Sequence, residues 1–214
     1  ANAAGNYTLS GGATVQSAAP DPVDGRTVTL TTSALGSGSV YTLGVSGVED
    51  LFGNAASTSA AFRTTIIIDG SFDDWVALQP LATDWQETAE GLEFNEIYVT
   101  NDENYLYLRF NFYTNVGQLP VDAYFHIFSD TDNDLGTGLV TAGLGSEMMI
   151  ENGAGYQQKG GQFNEGGVSG LDFAIGPEAA SSDFECRISR QATYDNDGQL
   201  VYDKGTIGLA LELV

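Results

Sequence analysis

Along much of the chain, apolar and polar residues alternate with a period of two, and turn residues interrupt the alternation at short intervals. Residues 104–112, "NYLYLRFNF", show this most clearly: the leucines and phenylalanines fall on one face, and the tyrosines, Arg109 and Asn111 on the other. Such alternation predicts a half-buried antiparallel strand. Segments with the 3.6-residue period of a helix are hard to find, so the pattern predicts an all-β chain.

Residues 6–64 contain five strand candidates at regular spacing, separated by turn segments rich in Gly, Asp and Asn. They are "NYTLS", "ATVQSA", "RTVTLTTS", "VYTLGVSG" and "SAAFRTT". Short strands at this spacing are typical of an immunoglobulin-type β-sandwich.

A second series of strand candidates follows residue 65. Beyond "NYLYLRFNF", they are "VDAYFHIFS", "SEMMIE", "GLDFAIG", "DFECRIS" and "GTIGLALELV". The segment "YDNDGQLVY" predicts a hairpin, in which Asp197-Gly198 supplies the positive φ angle. The two series predict two tandem β-sandwiches, over residues 1–64 and 65–214. The segment "FRTT" at the boundary between the two modules leaves almost no linker, which predicts a fixed angle between them.

The first module resembles the bacterial immunoglobulin-like domain of S-layer proteins and large secreted enzymes. The resemblance lies in "NYTLSGG" and in "RTVTLTTSALGSGSVYTLGVSGVEDLFGN", which ends in the family's Val-x-Asp-x-x-Gly-Asn turn. That family has one or two strands before "NYTLS". The resemblance therefore implies that residues 1–64 form an incomplete module.

The second module resembles the family 9 carbohydrate-binding modules and the overlapping DOMON-like sandwiches. The shared motifs, in order, are "IDGSFDDW", "VTNDENYLYLRFNF", "FHIFSDTDNDLGTG", "GSEMMIE" and "DFECRIS". The resemblance implies a jelly-roll or DOMON-like sandwich over residues 65–214 and a carbohydrate ligand. Related sandwiches also bind haem or serve as architecture alone.

The net charge of the chain limits the classes of molecule that it is expected to bind. The formal net charge is −22, and 25 of the 29 acidic residues lie in residues 65–214 with only five bases. Such a surface repels nucleic acid and anionic lipid and attracts divalent cations; it also suits a secreted protein in a saline setting. No apolar stretch approaches the roughly 20 residues of a membrane helix. The single Cys186 alternates with apolar neighbours and is predicted to be a core residue.

Three aspartates at alternate positions follow the apolar strand in residues 125–138, "FHIFSDTDNDLGTG". Asp130, Asp132 and Asp134 offer three carboxylates from one short loop, and carboxylates are ligands that Ca²⁺ prefers. Glu147 joins them if the following strand pairs back beside the loop. We therefore predict a Ca²⁺ site formed by these four residues.

The loop is not an EF-hand. The sixth position of an EF-hand loop is Gly and the twelfth is Glu, whereas this loop has Leu135 and Thr141 there. The alternative to a cation site is a solvated acidic turn, in which Asp and Asn serve turn geometry.

Sugar binding needs aromatic rings for the apolar faces of pyranoses and polar groups for the hydroxyls. Trp85 lies in a polar segment, and Tyr105 and Tyr107 lie on the polar face of their strand. These three are the predicted ligand-binding residues; the alternative is that the tyrosines are structural.

Two further features have both a structural and a functional interpretation. "IDGSFDDW" offers either a second cation site or an opening turn with Trp75 packed in the core, and the sequence favours the turn. His126, in mid-strand, is predicted to be packed or hydrogen-bonded rather than a haem ligand.

Catalytic signatures such as GxSxG, HExxH or a phosphate loop are missing from the sequence, and we predict that the chain is not an enzyme. The predicted function is calcium-stabilised binding of a polysaccharide or cell-surface glycan, by part of a larger secreted or cell-surface bacterial protein. The alternative is a structural subunit of a surface layer or filament, which would bind copies of itself through strand complementation at open sheet edges.

Overall fold

The protein is all-β, as the alternation predicts. A computed structural model describes residues 3–23, 26–49, 52–87, 92–119, 124–163 and 166–213. Asp50 and Leu51 of the predicted turn "VEDLFGN" lie outside these ranges. No helix in the described ranges is long and apolar enough to cross a membrane.

The described residues form 18 strands and two single-turn 3₁₀ helices, Ala4–Asn6 and Asp73–Trp75. The strands of the first 64 residues are β1 (Tyr7–Leu9), β2 (Val15–Pro20), β3 (Val28–Thr32), β4 (Val40–Glu49) and β5 (Ala55–Arg63). The next are β6 (Ala82–Thr83), β7 (Phe94–Asn101), β8 (Tyr105–Phe112), β9 (Phe125–Asp130), β10 (Leu139–Thr141), β11 (Leu144–Ser146) and β12 (Met148–Glu151). The last are β13 (Ala154–Gln157), β14 (Val168–Ser169), β15 (Ala174–Gly176), β16 (Asp183–Ser189), β17 (Thr193–Tyr194) and β18 (Gly208–Leu213).

The chain divides into two compact units. The first comprises Ala1–Ile67 with Asp73–Ala77, and the second comprises Ile68–Phe72 with Leu78–Val214. The predicted boundary after residue 64 falls beside this division, and the segment that follows the boundary contributes residues to both units.

In the first unit, β1, β4 and β5 form an antiparallel sheet with β4 in the centre, and β2 pairs with β3. Tyr41 is buried and stacks on Phe62, with ring centroids 5.8 Å apart. Trp75 also belongs to this unit and is fully buried. The prediction that Trp75 is a core residue is confirmed.

In the second unit, two antiparallel sheets enclose one core. One sheet has the order β13-β12-β9-β18 and the other β15-β16-β8-β7-β6. The predicted apolar face of β8 is buried and packs with residues of β9, β12 and β16. The Phe110 ring of one sheet stacks on Phe125 of the other, with centroids 4.7 Å apart. Burying apolar faces that each sheet cannot cover alone stabilises this sandwich.

Three local predictions are confirmed in this unit. Cys186 is fully buried in the core, and burial raises the pKa of its thiol. Gly198 has φ +70° at the tip of the predicted hairpin, where the Tyr194 N–H donates to the Gln199 carbonyl at 2.9 Å. His126 is hydrogen-bonded in mid-strand: its Nδ1 lies 2.8 Å from Glu212 Oε2.

Candidate metal centre

Three carboxylates converge where β9 ends. Asp130 is the last residue of β9, Asp132 follows in the loop, and Glu147 directly precedes β12. Because β12 pairs with β9 in the register Met148↔Ser129, Glu147 is brought back beside the loop. One carboxylate oxygen from each of the three lies within 4.8 Å of the others.

Asp134, the fourth predicted ligand, is not in this group. Its Oδ1 accepts a hydrogen bond from the Gly136 N–H at 2.8 Å, which closes a local turn. Its own N–H donates to both Asp130 Oδ1 and Asp132 Oδ1, at 3.1 Å each. Asp134 therefore orients two of the converging carboxylates through its backbone.

Other hydrogen bonds fix the remaining groups. Glu147 Oε2 accepts from the Thr131 N–H at 2.8 Å, and the Thr137 hydroxyl donates to Asp132 Oδ1 at 3.0 Å. Asn133 adopts φ +58°, a conformation that Asn tolerates better than most residues. A solvated acidic turn would also make these bonds, so they do not by themselves indicate a cation.

The buried polar atoms near these groups that make no hydrogen bond are more informative than the bonds themselves. Glu147 Oε1 is shielded from solvent and has no hydrogen-bond partner among the described residues, and the same holds for the hydroxyl of the preceding residue, Ser146. The nearby Tyr194 hydroxyl is also shielded from solvent; it interacts with the Thr131 side chain and with the carboxylates of Glu147, Asp197 and Asp132. Burial raises the pKa of Tyr194 to about 12. Buried polar atoms without partners are uncommon and call for a bound ion or water.

The donor set fits a hard cation. Ca²⁺ binds oxygen ligands at about 2.3–2.6 Å, so one ion can contact oxygens that lie up to roughly 5 Å apart. Gly138 leaves room for the Glu147 carboxylate, since a Cβ on Gly138 would lie 2.6 Å from Oε1. Neither His nor Cys belongs to the group, so the ligands do not favour zinc.

The predicted sugar-binding aromatics lie in different environments. Trp85 is 85% exposed, in the segment after β6. Tyr105 is half-buried: its hydroxyl donates to Asp172 at 2.6 Å, and the Arg187 guanidinium lies 4.8 Å from its ring centroid. Tyr107 is only 1% exposed and donates to Asp102 at 2.8 Å. Tyr107 thus presents no ring face to solvent, and Trp85 is the most exposed of the three.

The acids of "IDGSFDDW" bond to backbone rather than gather at a site. Asp69 Oδ1 accepts from the Ser71 N–H at 2.8 Å, and Asp74 Oδ2 from the Ile67 N–H at 2.9 Å. These contacts match the turn that the sequence favours. Glu185, which no sequence pattern singles out, is a fully buried carboxylate whose Oε1 accepts from the Asp69 and Gly70 N–H groups.

Several cavities of ligand size open among the described residues of the second unit, and two of them concern the sheets of the sandwich. One, of about 350 Å³, lies between the two sheets and is lined by apolar residues of β7, β8 and β18, with Arg190 and Lys204 among its polar groups. The other, of about 430 Å³, is lined by Met149, Glu151, Tyr156, Gln162 and Phe163.

Comparison with protein-family models matched no family, and a search of curated proteins found no match. The resemblances to immunoglobulin-like domains and to family 9 carbohydrate-binding modules therefore remain predictions from the sequence.

Proposed function

We propose that this chain is a non-catalytic, calcium-stabilised carbohydrate-binding region of a larger secreted or cell-surface bacterial protein. The observation that carries the proposal is the convergence of Asp130, Asp132 and Glu147, in which Glu147 Oε1 is shielded from solvent and has no hydrogen-bond partner among the described residues. A Ca²⁺ ion held there joins the end of β9 to the start of β12. The ion would serve structure, because it would link neighbouring strands of one sheet.

Carbohydrate as the ligand is supported by the sequence motifs and by the chemistry of the surface. The net charge of −22 disfavours nucleic acid and polyanionic glycans and leaves neutral polysaccharides as partners. An exposed ring at Trp85 and a cavity of about 430 Å³ lined by aromatic, amide and carboxylate side chains are both suited to sugar rings.

The decisive experiment is a thermal melt with Ca²⁺, with Mg²⁺ and with excess chelator. At a hundredfold excess over Kd, one specific site adds about 2.7 kcal/mol to the free energy of unfolding. We expect Ca²⁺ to restore the melting temperature that the chelator lowers, and Mg²⁺ not to. Glu147→Gln should abolish the response, whereas Glu178→Gln, at an exposed carboxylate outside the group, should retain it. A melt indifferent to all three additions would contradict the calcium site.

A structural role is the second candidate, and the sheet edges favour it. β18 is an edge strand that pairs with β9, and its Leu209, Leu211 and Leu213 are only half-buried. β5 is an edge strand of the first unit, and most of its residues are exposed. Edge strands of this kind accept a strand from another chain. Ordered polymers in size-exclusion chromatography and electron microscopy would favour a surface-layer or filament subunit; a monomer retarded on a polysaccharide matrix would favour glycan binding.

A further inference from the structure

The outer face of the four-stranded sheet in the second unit carries aromatic, ionisable and thioether side chains. Phe125, Ile127, Met148 and Ile150 point into the core. Side chains alternate along a strand, so the residues between them point outward. The outward set comprises His126 and Phe128 of β9, Met149 and Glu151 of β12, Tyr156 of β13 and Glu212 of β18.

Strand register arranges the outward residues in two rows across the sheet. Met149 lies directly opposite Tyr156 on one side and Phe128 on the other, which makes an apolar row. His126 lies directly opposite both Glu151 and Glu212, which makes a polar row. Its Nδ1 lies 2.8 Å from Glu212, and its Nε2 lies 3.7 Å from Glu151.

The loop after β13 turns this face into a groove. Phe163 lies over the apolar row, with its ring centroid 5.7 Å from that of Phe128. Gln162 and Phe163 then form one wall of the cavity of about 430 Å³, and Met149, Glu151 and Tyr156 form the other. A volume in this range holds a ligand of one or a few rings.

We propose that this groove is where the chain binds a neutral pyranose glycan, an inference that rests on the carbohydrate-binding function proposed above. The Tyr156 and Phe163 rings and the Met149 thioether offer the apolar surface on which the C–H face of a sugar packs. The Glu151 carboxylate and the Gln162 amide offer hydrogen bonds to hydroxyls at the same cavity wall. The carboxylates in the polar row repel uronates and sulfated sugars, which is why the ligand class is neutral.

The groove and Asp130, a ligand of the proposed calcium site, lie on the same face of one sheet. Asp130 follows Phe128 by two residues along β9, so alternation places both on the outer face. A cation held by Asp130 and Glu147 would fix the relative position of β9 and β12, the two strands that carry Phe128 and Met149. Trp85, by contrast, follows β6 in the other sheet.

Titration calorimetry tests the groove, after a screen of neutral oligosaccharides (gluco-, xylo-, manno- and chito-oligomers) beside uronate and sulfated ones. For the best neutral ligand we expect Tyr156→Ala and Glu151→Gln each to weaken binding about fivefold to tenfold, since the first removes a ring contact and the second replaces a charge-assisted hydrogen bond by a neutral one. Phe52→Ala, at an exposed ring of the first unit, is the control and should change the affinity by less than about twofold. Glu151→Gln is nearly isosteric at a half-exposed side chain, so it keeps the test valid if Tyr156→Ala does not fold.

Each other outcome overturns a defined part of the inference. Binding that survives both groove variants and is lost in Trp85→Ala would overturn the groove and leave the proposed function standing. A wild-type preference for uronates or sulfated sugars would overturn the neutral ligand class. A wild-type chain that binds none of the oligosaccharides would overturn the groove and the carbohydrate function together, while the calcium melt would still report separately on the metal site.

Discussion

The buried carboxylate of Glu185 accepts a hydrogen bond from the backbone N–H of Gly70 at 2.7 Å, across 115 residues of sequence. The Asp69 N–H donates to the same oxygen at 2.9 Å. The contact fastens Ile68–Phe72 to the five-stranded sheet of the second unit. A carboxylate that is fully buried needs such partners, because an unpaired buried charge is costly.

Removing that acceptor should destabilise the protein. Glu185→Ala removes two hydrogen bonds to a carboxylate, and bonds to charged groups contribute about 1.5–3 kcal/mol each. Glu185→Gln keeps an acceptor oxygen of the same shape and should cost less than the Ala variant. Urea unfolding monitored by tyrosine and tryptophan fluorescence measures both, with the exposed Glu178→Ala as the control. If the two variants lose the same free energy of unfolding, the hydrogen bonds of Glu185 are not the source of its contribution to stability.

Gly138→Ala should disturb the proposed calcium site more than Gly143→Ala. Both glycines have positive φ angles, +65° and +80°, so both variants incur the strain of a left-handed residue, about 1 kcal/mol. Only at Gly138 would the new Cβ also meet the Glu147 carboxylate and the Ser146 backbone, each at 2.6 Å; at Gly143 it meets nothing within 4 Å. The melting temperature and its response to Ca²⁺ should therefore fall further in Gly138→Ala. Matching losses in the two variants would contradict this account.

Much of the fold followed from the sequence because strand alternation and turn residues are local signals. Each of the five candidates in residues 6–64 overlaps an observed strand, with ends shifted by a few residues. β7, Phe94–Asn101, has the same alternation but is not among the predicted strand candidates. It nevertheless pairs along nearly the whole of β8. Glu147 was placed near the loop because strands that follow one another commonly pair.

The rest could not be read from the sequence because it depends on neighbours far along the chain. Tyr107 lies on the polar face of β8, which predicted exposure, but the face is covered and Asp102 accepts its hydroxyl hydrogen bond. Glu185 appears in the sequence as an ordinary charged position in an alternating strand. The outer-face groove combines β12, β13 and the loop after them, and strand register, rather than any single motif, aligns its residues.

Alkaline pH should weaken the folded state through its buried tyrosines. Burial raises the pKa of Tyr202 above its ordinary value of 10.0, and burial and the hydrogen bond to Asp102 do the same for Tyr107. A pKa that is higher in the folded state means that the unfolded chain ionises first. The stabilisation is thus complete below pH 10 and is lost as the pH rises past 10. Tyr202→Phe should make unfolding free energy fall less steeply above pH 10; an unchanged slope in urea melts across this range would contradict the assignment.

Arg109 should tolerate replacement by Lys less well than Arg187 does. The Arg109 guanidinium donates twice to Asp183, at 3.1 and 2.7 Å, and lies 4.6 Å from the ring centroid of Phe72, in the segment that Glu185 also holds. A lysine cannot reproduce this fork or stack as a plane on the ring. With side chains only 17% and 23% exposed, the pair is little screened by solvent. We expect Arg109→Lys to lower the free energy of unfolding by about 1–2 kcal/mol, with little dependence on salt. Arg187 also stacks on a ring, that of Tyr105, but it donates only once to Asp172 in a more exposed ion pair, so Arg187→Lys should cost less than about 1 kcal/mol. Urea melts of both variants at low and high salt measure the difference, and a larger loss in Arg187→Lys would show that the Arg109 fork does not anchor Phe72.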